Sequence, residues 1–327
     1  TAMEHWALLS THVLKGIRMH VSEISANSDA VGVVGGGTMG IGIAYVFAVA
    51  GWRTIVVEPN DDQAGELGRT ISATIGQGIA RGKLTAAQGA VVESLVSRVS
   101  SVDELDAGLA LVIETVPERF ELKASVLARI EERAPRIIAT NTSALSVDRL
   151  AANLENPASF IGMHFFNPVW SLPMVELVLG SATTDETAER ARLVAASIGK
   201  QTITVSDTPG FATSRLDLIA SLEAMRMLQD GVATAEDIDR AMVIAYRHPI
   251  GPLELSDIVG LDVRLDIAEN LATSLGPRYE PPQVLRDLVA AGNLGRKTGS
   301  GFFEWRSTDS GTTTPSPDLH RHPLGTP

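Results

Sequence analysis

The chain of 327 residues contains no cysteine, no long apolar run and no excess of basic residues. Without cysteine it can form neither disulfides nor thiolate nucleophiles nor cysteine metal sites, and we expect no metal site at all. No apolar run reaches the roughly 18 residues that span a membrane. The net charge of -12 argues against non-specific nucleic-acid binding. We therefore expect a cytoplasmic protein with a small-molecule substrate and neither nucleic acid nor membrane as partner.

The length favours two domains, and the composition changes along the chain. Residues 1–29 fit nothing that follows, so we expect a disordered leader, added by cloning or translated from upstream, with Met19 as a candidate native start. Alternating strand and helix patterns fill residues 30–207. Helical patterns fill residues 208–306. Residues 307–327, rich in Ser, Thr, Pro and Gly, predict a disordered tail.

A glycine-rich turn follows the first predicted strand, residues 30–35, and opens a helical pattern at Ile41. Its G-x-G-x-x-G spacing allows a tight turn, close approach of backbone N–H groups to a pyrophosphate, and close packing of helix on strand. The next strand ends at Glu58, where a carboxylate binds a ribose diol and repels a 2′-phosphate. The pattern predicts NAD binding, the alternative being a turn without ligand. The predicted cofactor-binding residues here are Gly35, Gly37, Thr38, Met39, Gly40 and Glu58.

The alternation of strands and helices predicts an α/β Rossmann-type, doubly wound sheet with its ligand crevice beyond the carboxyl ends of the strands. One predicted strand, residues 136–140, ends just before Ser143, which places this serine near the crevice. Residues 60–96 read as two helices, an inserted helical arm with Thr85 as an N-cap. Thr74 and Arg81 share one face of this arm and could present a hydroxyl and a cation to a phosphorylated substrate; a solvated face is the alternative.

Two apolar runs around residues 160–166 and 174–178 are joined by a loop with two prolines, which favours a pair of neighbouring strands. In that pairing His164 and Glu176 lie opposite each other. A carboxylate beside an imidazole fixes its tautomer, so the ring can act as a general base. The alternative is a buried structural histidine and an unrelated glutamate. Helical patterns then follow at residues 216–230, 235–245, 256–275 and 283–291.

Seven stretches of the chain resemble the L-3-hydroxyacyl-CoA dehydrogenases, in particular bacterial 3-hydroxybutyryl-CoA dehydrogenases. Their order and spacing cover nearly the whole folded region. The resemblance implies a Rossmann domain with a helical arm, followed by an all-α C-terminal domain that forms a homodimer. It also implies NAD-dependent chemistry at C3 of a short-chain 3-hydroxyacyl-CoA, within fatty acid metabolism. The stretches are Val31–Gly42, Val112–Lys123, Asn141–Ser143, Gly162–Pro168, Thr208–Phe211, His248–Asp262 and Gly295–Phe303.

The resemblance also assigns roles to individual residues. His164 is similar to the catalytic base and Glu176 to its orienting partner. Ser143 resembles the serine that hydrogen-bonds the reacting oxygen near the nicotinamide, and Asn167 the asparagine that helps to fix that region. The remaining matches are Glu118, Lys123 and Lys297 at NAD-contacting positions, and Thr74 and Arg81 at positions on the helical arm that touch coenzyme A.

The sequence departs from the family pattern at several positions near the expected crevice. Ser214 stands where the family has an asparagine at the reacting region, and Ala144 where a second serine is common. In the loop after His164, Trp170 replaces a proline and Pro173 a lysine. These changes are either neutral or adapt the site to another acyl group or to a hydroxyacyl chain on a carrier protein of secondary metabolism. Further alternatives are a hydroxy sugar-acid dehydrogenase and a non-catalytic, crystallin-like NAD-binding protein.

Overall fold

The computed structural model describes residues 30–307 and 313–315, and the expected leader lies outside them. The chain divides into two compact units, one ending at Phe211 and the other beginning at Ala212. None of the helices within the described ranges is long and apolar enough to cross a membrane.

The first unit is built on an eight-stranded sheet with the strand order β3-β2-β1-β4-β5-β6-β7-β8. Neighbouring strands are parallel except β6 and β7, which form an antiparallel hairpin. The strand order reverses between β1 and β4, which is where doubly wound sheets bind their ligands. The strands are β1 Ala30–Val34, β2 Arg53–Val57, β3 Val96–Val99, β4 Leu111–Glu114, β5 Ile138–Thr140, β6 Phe160–Phe165, β7 Met174–Leu179 and β8 Gln201–Ser206.

In the described part of the chain, six α-helices cover both faces of this sheet, so the central strands read as continuous apolar runs. One apolar core lies under α1, α2, α3 and α6, and the other lies under α4 and α5. Along β1, Val31 and Val33 belong to the first core while Val34 belongs to the second, as the alternation of a strand requires. The helices are α1 Thr38–Val49, α2 Asp61–Ala80, α3 Ala86–Leu95, α4 Phe120–Glu131, α5 Val147–Ala151 and α6 Asp185–Ser197.

The helical arm consists of α2 and α3. Asn60 begins α2 by accepting bonds from two backbone N–H groups of the first turn. Thr85 begins α3 with a capping box to Gln88, so the predicted N-cap is confirmed. The sequence reading missed β3, which directly follows α3, because this short edge strand carries Ser97 and Arg98 and lacks an apolar run.

Among its described residues, the second unit has five α-helices: α7 Thr213–Gln229, α8 Ala235–Tyr246, α9 Pro252–Val259, α10 Leu261–Leu275 and α11 Gln283–Ala290. The single helix predicted for residues 256–275 is wrong. Gly260, with φ of +106°, separates α9 from α10, since this backbone conformation is open to glycine but not to a helix. An apolar core around Leu218, Leu222 and Leu253 holds the helices together.

Two short strands follow the helices. β9, Trp305–Ser307, pairs antiparallel with β10, Thr313–Pro315. Ser307 and β10 lie within the stretch for which we expect a disordered tail. Residues 308–312 and 316–327 lie outside the described part of the chain.

Candidate active site

A histidine–carboxylate pair lies at the carboxyl end of β6. In the antiparallel register of the hairpin His164 is directly opposite Glu176, so the predicted pairing of the two strands is confirmed. The Nδ1 atom of His164 lies 3.0 Å from Oε2 of Glu176. The imidazole side chain is 10% exposed and that of the glutamate is fully buried. A carboxylate accepts only, so Nδ1 carries the hydrogen and Nε2 keeps a lone pair for a proton.

Two aromatic rings flank this imidazole. The Phe166 ring lies 4.4 Å from the His164 ring, and the Phe211 ring lies 6.0 Å away, centroid to centroid. Phe211 is buried and has a positive φ of 47°. The rings restrict the imidazole to a narrow set of orientations, while its remaining exposed edge can meet a substrate. Asn167 follows Phe166 on the surface, at the start of the loop that joins β6 to β7.

Ser143 lies in the exposed loop after β5, the strand next to β6. Glu118 shapes this loop: its Oε1 accepts hydrogen bonds from the backbone N–H groups of Ser143 and Ala144 at 3.0 and 3.1 Å. The Thr142 hydroxyl donates to the same oxygen at 2.5 Å. Burial raises the pKa of Glu118, but the Lys123 charge and these hydrogen bonds outweigh it and leave the pKa lowered. Glu118 is therefore an ionised acceptor that orients the serine loop.

Lys123 lies beneath this loop and is 1% exposed. Its Nζ donates to both oxygens of the fully buried Glu114, at 2.8 and 3.0 Å, and lies 3.2 Å from Oε2 of Glu118. Burial raises the pKa of Glu114, partly offset by the Lys123 charge and by the hydroxyl of Thr140. The lysine predicted to contact NAD is thus an internal cation that connects two carboxylates.

Asn141 joins the two halves of the site. Its Oδ1 accepts a hydrogen bond of 2.8 Å from the backbone N–H of Phe165, the residue after His164. The loop with Ser143 and the strand with His164 are therefore held together directly. The sequence reading assigned a function to neither Asn141 nor Glu114, although both stand at the ends of buried strands, which was the available signal.

The glycine-rich turn has the shape that a dinucleotide requires. A Cβ on Gly40 would lie 1.9 Å from the carbonyl oxygen of Gly35, whereas a Cβ on Gly37 would meet nothing within 4 Å. The turn thus packs tightly against α1 on one side and is open on the other. Helix α1 has no side-chain cap and no acid in its first turn, so its N–H groups can bind a pyrophosphate, and the residues present fit NAD.

Glu58 lies next to this turn, as its place at the end of β2 predicted. Its Oε2 accepts a bond of 2.8 Å from the Gly36 N–H, and its Oε1 accepts one of 2.9 Å from the Asn60 N–H. Each oxygen has a second lone pair with which a ribose hydroxyl can bond. Thr38 and Met39 are the first two residues of α1 and directly follow the open position at Gly37.

Thr74 and Arg81 both line a cavity of about 460 Å³ in the first unit, together with residues of α1 and of the loop after β6. The Thr74 hydroxyl donates to the Thr70 carbonyl oxygen at 2.7 Å, within its own helix. Trp170 and Pro173, the two departures in that loop, line the same cavity. Both departures therefore lie at this cavity, whose lining includes neither His164 nor Ser143.

Two predicted site residues belong to the second unit. Ser214 is half-buried in the first turn of α7. Lys297 donates to both carboxylate oxygens of Asp262, at 2.5 and 2.6 Å. The lysine predicted to contact NAD is thus engaged in an ion pair within its own unit.

Comparison with known proteins matches two family models to the chain. Residues 30–208 match the NAD-binding domain of 3-hydroxyacyl-CoA dehydrogenase, and residues 210–305 match the C-terminal domain. A 3-hydroxybutyryl-CoA dehydrogenase of Bradyrhizobium diazoefficiens is 40% identical over 84% of this chain and 95% of its own. One of Mycobacterium tuberculosis is 38% identical over 85% of this chain and 100% of its own.

A solved structure gives the same result. The (S)-3-hydroxybutyryl-CoA dehydrogenase PaaH1 from Ralstonia eutropha is 39% identical, with a TM-score of 0.81 over 84% of this chain and 98% of that one. Its likeness covers both units, so the fold class expected from the sequence is confirmed. The resemblance drawn from the motifs is confirmed as well, and the chain belongs to the 3-hydroxyacyl-CoA dehydrogenase family of NAD-dependent oxidoreductases.

Proposed function

We propose that this protein oxidises the C3 hydroxyl of a short-chain 3-hydroxyacyl-CoA such as 3-hydroxybutyryl-CoA, or runs the reverse reduction. The observation that carries the proposal is the 3.0 Å contact between Nδ1 of His164 and Glu176 at the strand end beside the Ser143 loop. The names of the relatives, 3-hydroxybutyryl-CoA dehydrogenases in both cases, support the substrate class.

In this proposal His164 is the general base. Its Nε2 accepts the proton of the C3 hydroxyl, and Glu176 stabilises the imidazolium that forms. NAD, when bound, accepts the hydride that leaves C3. In the reverse direction Nε2 returns the proton to the oxygen. General acid–base assistance of this kind accelerates reactions by about 10²–10⁴-fold.

Ser143 donates a hydrogen bond to the oxygen whose charge changes. Glu118 supports this role, because its bonds to the Ser143 and Ala144 N–H groups fix the loop. Asn167, exposed at the start of the next loop, helps to fix the same region, where the reacting oxygen lies near the nicotinamide. We assign Lys123 an indirect role, since its ammonium group contacts Glu114 and Glu118 and is itself buried.

The glycine turn would hold the cofactor in this proposal. Backbone N–H groups at Gly37, Thr38 and Met39 would bind the pyrophosphate, and Glu58 would bind the adenosine ribose diol. The family resemblance also supports Lys297 as an NAD-contacting residue, and we retain Ser214, which stands at the position of a family asparagine, as a substrate-contacting residue. Thr74 and Arg81 bind the coenzyme A part of the substrate, which the cavity that both residues line supports.

We also propose a homodimer formed through the second unit. Large apolar side chains of this unit are strongly exposed, among them Leu216 at 70%, Ile244 at 65% and Tyr246 at 72%. Apolar surface of this kind is favourable to bury in an interface. Sedimentation at micromolar concentration measures the state directly, and a monomer would refute this part of the proposal.

NADH absorbance over a panel of substrates tests the proposed reaction. The panel contains 3-hydroxybutyryl-CoA, the same acyl group on a carrier protein, and a hydroxy sugar acid. We expect the fastest turnover with the CoA thioester. Faster turnover of the carrier-bound chain or of the sugar acid would replace the proposed substrate class, and no turnover of any hydroxy compound would favour the crystallin-like alternative.

A further inference from the structure

The cavity of about 460 Å³ has a charge that sets it apart from the rest of the protein. In a chain with net charge -12, none of its lining residues is acidic, whereas Arg81, Lys83 and Lys200 all line it. Its volume lies in the range of small-molecule sites. A basic site in an acidic protein favours an anionic ligand, because the overall field repels such ligands elsewhere.

The three cations differ in availability. The Lys200 ammonium donates to the carbonyl oxygens of Val169 and Leu172, at 2.5 Å each, and so fixes the loop after β6. In the described part of the chain, no ion pair or side-chain hydrogen bond engages Arg81 or Lys83. These two cations remain available for phosphate groups, which guanidinium and ammonium groups bind through charge-assisted hydrogen bonds.

An aromatic side chain lines the same cavity as these cations. Trp170 lines it with 39% of its surface exposed, although large aromatic residues are usually buried. Its ring is held from one side by Tyr45, edge to face, with the centroids 6.2 Å apart and an interplanar angle of 81°. The Lys200 bonds on either side of Trp170 hold its backbone. The indole is therefore a fixed surface with room for a second ring.

A phosphate-binding pair and an exposed indole are complementary to a nucleotide. We propose that Trp170 is a specificity-determining residue that stacks on the base of a nucleotide-carried thioester, while Arg81 and Lys83 bind its phosphates. This inference rests on the proposed function, and it adds that Trp170 makes the enzyme prefer an acyl group carried by a nucleotide over one carried by a protein. A phosphopantetheine chain on a carrier protein has no base, so it gains nothing from the indole.

The ratio of kcat/KM for 3-hydroxybutyryl-CoA to that for 3-hydroxybutyryl-pantetheine isolates this contribution. We expect Trp170→Ala to lower kcat/KM for the CoA thioester by about 5- to 150-fold, which is the range for loss of one base–aromatic stack. The same variant should lower kcat/KM for the pantetheine thioester by less than about two-fold. Trp170→Phe should restore most of the ratio, since a phenyl ring still stacks. Leu172→Ala, on the same loop, should leave the ratio unchanged.

Equal losses with both thioesters, or an unchanged value for the CoA thioester, would overturn the role of Trp170 while leaving the reaction intact. If the wild-type enzyme oxidised neither thioester, the proposed function would fail and the inference would be decided by binding alone. Calorimetry with free coenzyme A then serves as the readout: weaker binding to Trp170→Ala by the same factor supports the stack, and equal binding contradicts it.

Discussion

The two units bury charged groups in different ways. In the first unit Lys123 and Glu114 are almost completely buried, and the lysine ammonium has Glu114, Glu118 and the Val116 carbonyl oxygen as partners. In the second unit Arg264 is 2% exposed and pairs through Nη1 with Asp217, a residue of α7. Its Nε and Nη2 atoms have no hydrogen-bond partner among the described residues.

The difference shows in which unit the buried charged groups make the surrounding structure more rigid. The Lys123 network lies under the Ser143 loop and satisfies its members, so it adds rigidity where the proposed chemistry needs it. The Arg264 pair is incomplete, and such a pair stabilises a fold less than apolar residues of the same volume would. Removing the buried lysine charge should therefore lower the stability of the first unit. Removing both partners of the Arg264 pair together should raise the stability of the second unit.

Lys123→Met should have the largest effect on stability. The variant leaves the Glu114 carboxylate buried with no cation, and breaking such a pair destabilises by about 3–5 kcal/mol. Urea unfolding measures the loss. Arg129→Met on the same helix is the matched control, because its pair with Asp103 is 45% and 62% exposed and such pairs contribute about 1 kcal/mol or less. Equal stability of the two variants would contradict the network's role.

Asp217→Leu should destabilise the second unit on the order of 3 kcal/mol, since it leaves Arg264 buried without its partner. The double variant Asp217→Leu/Arg264→Met removes both charges and should regain or exceed the stability of the wild type. Unfolding in urea of the wild type, the single variant and the double variant provides the comparison. A double variant no more stable than the single one would show that the pair is structurally necessary.

Asp239 should make the second unit sensitive to pH. Burial raises the pKa of its carboxyl to about 6, against the lowering effect of hydrogen bonds from the Leu253 and Glu254 N–H groups. Because the folded state binds this proton more tightly than the unfolded state, the stabilisation is complete below about pH 4 and is lost as the pH rises to about 6.

The loss should amount to roughly 2–3 kcal/mol. Asp239→Asn cannot ionise, so its stability relative to the wild type should increase by that amount between pH 4 and pH 7. Unfolding of both proteins in urea across this range gives the difference directly. A difference that stays constant with pH, or one that changes in favour of the wild type, would show that the carboxylate is not destabilised by burial.

Asn141→Ala should have the smallest effect on stability, about 1–2 kcal/mol, because it leaves the Phe165 N–H without its acceptor. Turnover should fall as well, since the Ser143 loop and the His164 strand lose their direct connection, while NADH affinity should be unchanged. Asn141→Asp retains the acceptor oxygen and should recover most of both losses. If the aspartate variant lost as much stability and turnover as the alanine variant, the hydrogen bond to the Phe165 N–H would not be the cause of the losses.

The sequence could reveal those features that depend on neighbours along the chain. The alternation of strand residues and the prolines of the loop were sufficient to predict that His164 and Glu176 face each other. The glycine spacing was sufficient for the turn before α1. Gly260 was missed because one glycine inside an apolar, helical pattern is only a weak signal of a break.

Features that depend on residues far apart in the sequence could not be predicted in this way. Lys123 was expected at the cofactor, and its burial could not be foreseen because lysine is rarely buried. The cavity combines side chains from α1, the end of α2 and the loop after β6, so the proximity of Tyr45, Arg81 and Trp170 emerges only from the folded chain. The roles of Ser143, Asn167 and Glu118 in catalysis and cofactor binding remain predictions.

The most direct test of the proposed function is the turnover of His164→Ala, with NADH affinity measured on the same preparation. Loss of the base should lower kcat for 3-hydroxybutyryl-CoA by about 10²–10⁴-fold. The dissociation constant for NADH should change by less than about two-fold, because the glycine turn and Glu58 are intact. A kcat comparable to that of the wild type would contradict the assignment of His164 as the base.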